Sequence, residues 1–293
     1  MLIRTFLSYL CYERNCSERT ITIYGTDIEQ FRSFIANRNI FNVEEVNPEI
    51  IREWVISLME KGCAATSVNG KLISLRSFYK YLLQQGKIAV NPLSKIIGPK
   101  NKKLLPMFLK ESEMDKLLDE IDFGKGYIAC RDHLIIEVFY TTGIRLLELI
   151  NLNDSDIDFS TSLVKVAGKG NKQRLIPFGD ELKKDLLQYI SIRSEILSEN
   201  KPAAFFVRKN GKRLSRSIIG NIVRKNLSKV VTLKKRSPHV LRHTFATTML
   251  NNEAELGAIK ELLGHNSLKT TAIYAHTTFE KLKKVYKQAH PRA

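Results

Sequence analysis

The sequence predicts a mainly α-helical protein of two domains, with a small antiparallel β-sheet confined to the second. Three observations predict it. Apolar residues recur at helical spacing through residues 1–97, with no alternating run among them. A segment that cannot continue a helix follows, GPKNKKLLP at 98–106. Beyond it, two short alternating runs flank a glycine-rich turn, which is the pattern of a β-hairpin.

The first domain, residues 1–97, reads as a bundle of successive helices. Leu2, Phe6, Tyr9 and Leu10 form one stripe. Ser17 is placed to cap the next, which carries Ile21, Tyr24, Ile28, Phe31 and Ile35. Asn47-Pro48 opens a third, with Ile51, Trp54, Val55 and Leu58. Thr66 or Ser67 opens a fourth, with Leu72, Leu75, Phe78, Tyr79 and Leu82, and Gly86 and Asn91-Pro92 end it. Residues 98–107 are the expected linker. Its lysines read equally as a solvated face or as contacts to a nucleic-acid backbone.

The second domain, residues 108–293, is mixed. Helices are expected at 112–121 and 130–142, broken by Gly143, with a further turn over Ile144–Leu149. The hairpin pairs Leu163–Ala167 with Arg174–Pro177 around Gly168-Lys169-Gly170-Asn171-Lys172. Phe205–Val207 is expected to add a third short strand. Asn210-Gly211 turns the chain into a helix over 215–227, and Ser237-Pro238 reads as the N-cap and first position of another.

Charge narrows the partner. The 293 residues include 47 Lys and Arg against 30 Asp and Glu, a formal charge of +17. A surplus of that size favours a polyanion, with nucleic acid the first candidate. Charge alone leaves ribosomal and membrane-surface binding open. Cys11, Cys16, Cys63 and Cys130 form no CxxC pair and no zinc spacing with histidine, so free thiols in a reducing cytoplasm are expected. The N-terminus lacks signal-peptide character and no apolar run approaches the ~18 residues of a membrane span. A soluble cytoplasmic protein is the expectation.

The residues that carry chemistry lie in the second domain: Arg145, Lys169, His239, Arg242, His265 and Tyr274. Singly, each has a bland alternative. Arg145 is spaced for a surface ion pair with Glu148. Lys169 sits at a hairpin tip, where lysines are usually solvated. His239 and Arg242 share a helix face that need only be exposed. His265 follows Gly264 and could cap a helix, and Tyr274 could be core. Together they meet the needs of phosphoryl transfer: cations for the non-bridging oxygens, a nucleophile, and an acid for the leaving oxygen. Arginine suits the first role because its fork matches phosphate and stays charged. A tyrosine hydroxyl, with an ordinary pKa near ~10, needs activation by positive neighbours. No acidic cluster for two-metal chemistry and no GxxxxGK[ST] loop is present, so neither a metal nor a cofactor is expected.

Four segments carry a resemblance: TGIRLLEL (142–149), GKGNKQRLIP (168–177), PHVLRHTFAT (238–247) and LLGHNSLKTTAIYAH (262–276). In order, spacing and flanking residues they resemble the signature boxes of the tyrosine recombinases, the phage integrase family. The likeness is greatest to the bacterial Xer recombinases, down to the ending QAHPRA, and covers nearly the whole chain. It implies a two-domain, C-shaped DNA clamp. It also implies that Tyr274 attacks the scissile phosphate to form a 3′-phosphotyrosine and free a 5′-hydroxyl. Arg145, Arg242 and His265 would hold the phosphate, His239 would assist proton transfer, Lys169 would protonate the leaving oxygen, and Glu148 would support Arg145.

The resemblance further implies double-stranded DNA as partner, at a dif-like site, and a tetramer on two sites, either of one chain or with a paralogous Xer recombinase. The FtsK translocase is a further implied partner, the last helix (279–288) would dock on a neighbouring protomer, and the task would be chromosome dimer resolution. Asn69, Lys71, Arg76 and Lys80 on the fourth helix, and Arg213, Arg216 and Arg224 near the Asn210-Gly211 turn, are the expected DNA contacts. For the fourth-helix cations a solvated stripe is equally open. The chain opens directly on the bundle, an organisation expected of housekeeping duty. The alternatives are a mobile-element integrase, a type IB topoisomerase with the same tyrosine chemistry, and an idle DNA-binding factor.

Overall fold

The computed structural model describes residues 2–101, 107–168, 173–197, 203–231, 236–264 and 275–292, with side chains in the last stretch from Leu282 onward. The chain divides into two compact units, Met1–Leu104 and Leu105–Ala293.

The first unit is built from α1 (Leu2–Tyr12), α2 (Glu18–Ala36), α3 (Pro48–Glu60) and α4 (Ala65–Gln84). Their starts follow local chemistry. The Ser17 side chain accepts the Thr20 backbone N–H, and Asn47 accepts that of Ile50 with Pro48 in the first turn. α4 is central and packs on the other three. The apolar stripes meet there, with Phe6, Phe31, Trp54, Leu75, Phe78 and Tyr79 all at most 1% exposed. Phe31 stands edge-on to Trp54 at 5.0 Å and Phe6 to Phe78 at 5.3 Å, the arrangement aromatic quadrupoles favour. One carboxylate enters this core. Asp27 accepts from Ser74 Oγ at 2.6 Å and from Lys71 Nζ at 3.1 Å, so its burial leaves no charge unpaired.

The second unit holds α5 (Glu111–Asp115), α6 (Tyr127–Thr142), α7 (Leu146–Asn151), α8 (Asp180–Ile196), α9 (Arg216–Leu227), α10 (Pro238–Asn251), α11 (Leu256–Leu263) and α12 (Ala275–Ala289). β1 (Ile157–Asp158), β2 (Leu163–Ala167) and β3 (Gln173–Pro177) form an antiparallel sheet in the order β1-β2-β3. The register pairs Val164 with Ile176 and Val166 with Arg174, which buries Val164, Val166 and Ile176 on one face. α6 runs through the middle and packs against α8, α9 and α10. Nearly every side chain on it from Leu134 to Thr142 is buried.

The structure corrects two expectations. The third strand is β1, not Phe205–Val207. Phe205, Phe206 and Val207 are all at most 1% exposed, so this run plugs the core and cannot alternate as a half-buried strand does. Side chains take two of its carbonyls, Tyr127 Oη donating to Val207 O at 2.8 Å and Arg193 Nη1 to Phe205 O at 2.8 Å, and Phe206 O accepts the Leu214 backbone N–H at 3.4 Å. No element was expected at 180–196, where α8 stands. Asp180 and Glu181 favour its N-terminus, and Leu182, Leu186 and Tyr189 form its buried stripe. The last helix, α12, packs on α10 and α11 of its own chain, with Leu282 and Tyr286 buried. Among the described residues no helix is long and apolar enough to cross a membrane.

Candidate active site

The site is assembled where α6 ends. Gly143 closes that helix in the left-handed region at φ +58, and a Cβ there would lie 2.5 Å from Phe245 Cδ1. Only glycine fits both constraints. The turn sets Arg145 at the N-cap of α7, and Glu148 one turn later reaches back to it. Glu148 Oε2 accepts the Arg145 backbone N–H at 2.8 Å, and Oε1 accepts from Arg145 Nη1 at 2.8 Å. β3 brings Arg174 to the same carboxylate: Nη1 and Nη2 donate to Oε1 and Oε2, each at 2.8 Å. This is the bidentate fork that guanidinium and carboxylate geometry favours.

Three arginines then converge on one helix end. The last carbonyls of α11 lack partners within the helix. Arg174 Nε donates to Leu262 O at 2.7 Å, Arg242 Nη2 to Leu263 O at 2.6 Å, and Arg145 Nη2 to Gly264 O at 2.7 Å. Arg242, in the first turn of α10, also donates through Nη1 to Gly143 O at 2.5 Å. Gly264 is left-handed at φ +62, and a Cβ there would meet Arg174 Nη1 at 3.1 Å. The segment leading into His265 is thus held by three cations at the negative end of a helix dipole.

The electrostatics follow from burial. Arg242 is 8% exposed. Burial, then the positive charges of Arg145 and Arg174, lower its pKa to about 10, which still leaves it protonated at neutral pH. Burial pushes the Glu148 carboxyl up, but hydrogen bonds and charge from Arg174 and Arg145 outweigh this and hold it at about 2. Three guanidiniums against one carboxylate leave the cluster cationic. A net positive cluster of this kind favours an anion.

Of the predicted site residues, Arg145 and Arg242 are brought together. The Arg145 side chain is 35% exposed and so reaches solvent. His239 is exposed three residues before Arg242 in the same turn. Lys169, His265 and Tyr274 lie outside the described residues. Arg174 is a site residue the sequence reading did not single out. Its signal was its place in the segment 168–177, opposite an acid already assigned to Arg145.

The expected DNA contacts divide. Arg213 is held internally: Nη1 donates to Ile150 O at 2.6 Å and Leu152 O at 3.1 Å, and Nη2 to Asn153 Oδ1 at 2.7 Å. Lys71 pairs with Asp27 and donates to Gln30 Oε1 at 2.6 Å. Arg76 donates to Ile96 O at 2.8 Å, and Asn69 to Pro99 O at 2.8 Å. These side chains satisfy local backbone and acids. Lys80, Arg216 and Arg224 are exposed.

Comparison with known proteins defines the class. The model of the phage integrase family matches residues 107–281, and that of the phage integrase N-terminal SAM-like domain matches residues 3–86. Tyrosine recombinase XerC of Listeria innocua serovar 6a is 38% identical over 294 residues, spanning 100% of this chain and 98% of the relative. The XerH site-specific recombinase, in a post-cleavage complex with a palindromic difH substrate, shares the fold. Its TM-score is 0.74 at 23% identity, over 95% of this chain and 82% of that one. A lambda integrase (75–356) dimer bound to a COC' core site gives 0.71 at 18% identity, over 93% and 98%. The molecule is a site-specific recombinase, an enzyme that cleaves and rejoins DNA strands. The chain belongs to the phage integrase family, among the tyrosine recombinases similar to XerC.

Proposed function

We propose that Tyr274 attacks a scissile phosphate in duplex DNA, forming a 3′-phosphotyrosine and releasing a 5′-hydroxyl. Arg145, Arg242 and His265 hold the non-bridging oxygens as charge builds in the transition state. His239 assists proton transfer, and Lys169 protonates the leaving oxygen. The protein–DNA ester conserves the energy of the bond it replaces, so religation to a second duplex needs no nucleotide. The observation that carries this reading is the convergence of Arg145, Arg174 and Arg242 on the carbonyls of Leu262, Leu263 and Gly264. It fixes a cationic anchor at the residue before His265 and ten before Tyr274.

In this reading residues 1–97 are the core-binding domain, 98–107 the linker and 108–293 the catalytic domain, and the substrate is a dif-like site. Lys80, Arg216 and Arg224 contact the phosphate backbone. Four protomers, of this chain alone or with a paralogous Xer recombinase, synapse two sites, and the last helix (279–288) docks on a neighbouring protomer to couple their cleavage. The task is chromosome dimer resolution in the cytoplasm, under an FtsK-type translocase. A suicide duplex carrying dif-like half-sites tests the chemistry. Arg242→Ala should bind it and lose about 3–4 kcal/mol of transition-state stabilisation, a 10²–10³-fold slower cleavage. Cleavage within tenfold of wild type in that variant would remove Arg242 from the mechanism.

A further inference from the structure

The second unit carries a second chemical cluster, on a different stretch of α6. His133 and Glu137 stand at i and i+4 on that helix, and Asp185 faces them from α8, which packs alongside. His133 Nδ1 lies 3.7 Å from Asp185 Oδ2 and 4.0 Å from Glu137 Oε2. One ligand-type atom from each of the three falls within 4.8 Å of the others. These separations are too long for hydrogen bonds. Two ligands each about 2.0–2.2 Å from one ion stand up to ~4.2 Å apart, so slight side-chain adjustment would place all three on a shared centre.

Two further observations point to a ligand. Glu137 is 2% exposed, yet its Oε2 has no hydrogen-bond partner among the described residues, though it is aimed at His133. A buried carboxylate oxygen in that condition is costly unless something fills the gap. The histidine is also oriented for the task. Its Nε2 is 3.0 Å from Leu118 O, and a carbonyl only accepts, so Nε2 carries a hydrogen and Nδ1 is the ring atom turned to the two acids. Metal-ligating histidines are commonly held this way, by an outer hydrogen bond to a backbone carbonyl. Phe123 stands edge-on to the ring at 5.0 Å and fixes its plane. A cavity of about 350 Å³, lined by Phe123, Cys130, His133, Asp185 and Gln188, gives access from solvent.

We propose that His133, Glu137 and Asp185 form a binding site for one divalent first-row transition-metal ion, which braces α6 against α8 and takes no part in strand cleavage. One imidazole and two carboxylates are borderline-to-hard donors, suited to Zn²⁺ or Mn²⁺. The ion's charge balances the two carboxylates. Arg292, the nearby cation, is itself engaged by Asp115, Asp119 and Glu181. The sequence alone gave no spacing signal for the site because Asp185 lies on another helix.

The test is calorimetric titration of the full-length, chelator-treated chain with Zn²⁺ at pH 7. The expected result is one ion bound at micromolar affinity or tighter, and a melting temperature raised by about 5 °C at saturation. Glu137→Gln keeps the side chain's size and removes one ligand oxygen, while Asp185→Asn alters a partly exposed side chain. Each should weaken binding at least tenfold. No binding at 100 μM Zn²⁺ in the wild type would overturn the proposal. So would Zn²⁺ binding that both variants retain at wild-type affinity, which would place the ion on other histidines or cysteines.

Discussion

Replacing Glu148 by glutamine keeps the side chain's shape and removes its charge, leaving Arg145 and Arg174 without their shared counter-ion. The structure sets the size of the effect. Glu148 is 5% exposed, and its carboxyl is held at about 2 against an ordinary 4.5. A shift of that size corresponds to about 3 kcal/mol at neutral pH, in line with the ~3–5 kcal/mol lost when one partner of a buried ion pair is removed. The sign is fixed by the direction. The folded-state pKa lies below the unfolded one, so the contribution is complete above about pH 4.5 and is lost as pH falls toward 2. Urea unfolding followed by circular dichroism should therefore separate wild type and Glu148→Gln by about 3 kcal/mol at pH 7. The gap should narrow by about 1.4 kcal/mol at pH 3.5. A gap below ~0.5 kcal/mol, or one that does not change with pH, would refute the view that this carboxylate holds the arginine cluster together.

Gly143→Ala should destabilise the protein by about 2–4 kcal/mol, because alanine pays for the left-handed backbone and its Cβ meets Phe245. A urea midpoint equal to wild type would show that the α6 terminus is not fixed as described. DNA affinity should fall steeply with salt, with a log–log slope of about −0.9 for each phosphate neutralised. A filter-binding series from 50 to 200 mM salt with a flat response would argue against backbone contacts by Lys80, Arg216 and Arg224.

The helical bundle was legible because its stripes are long and their caps local. Ser17 and Asn47 cap where the sequence places them. The β2–β3 hairpin was legible for the same reason, since alternation and register are properties of neighbouring residues. Ser237 was half legible. It holds the N-cap position of α10, but its Oγ is buried without a hydrogen-bond partner among the described residues. Phe205–Val207 misled because a continuous apolar run fits a buried plug as well as a strand. In the site, Arg145 and Glu148 are three residues apart and could be paired on paper. Arg174 joins them across 26 residues and reaches the end of α11 across 88, and such distances leave no periodicity to read. Arg213 shows the converse. A basic residue after a turn looks like a surface contact until its backbone acceptors, some 60 residues away, are in view.

Strand cleavage by this chemistry leaves one residue of the protein joined to DNA. Incubating the chain with a nicked suicide duplex bearing dif-like half-sites, digesting the product and sequencing the nucleotide-bearing peptide by mass spectrometry identifies that residue directly. The prediction is a 3′-phosphodiester on Tyr274, abolished by Tyr274→Phe while DNA binding persists. An adduct on another residue, or one that survives in Tyr274→Phe, would contradict it.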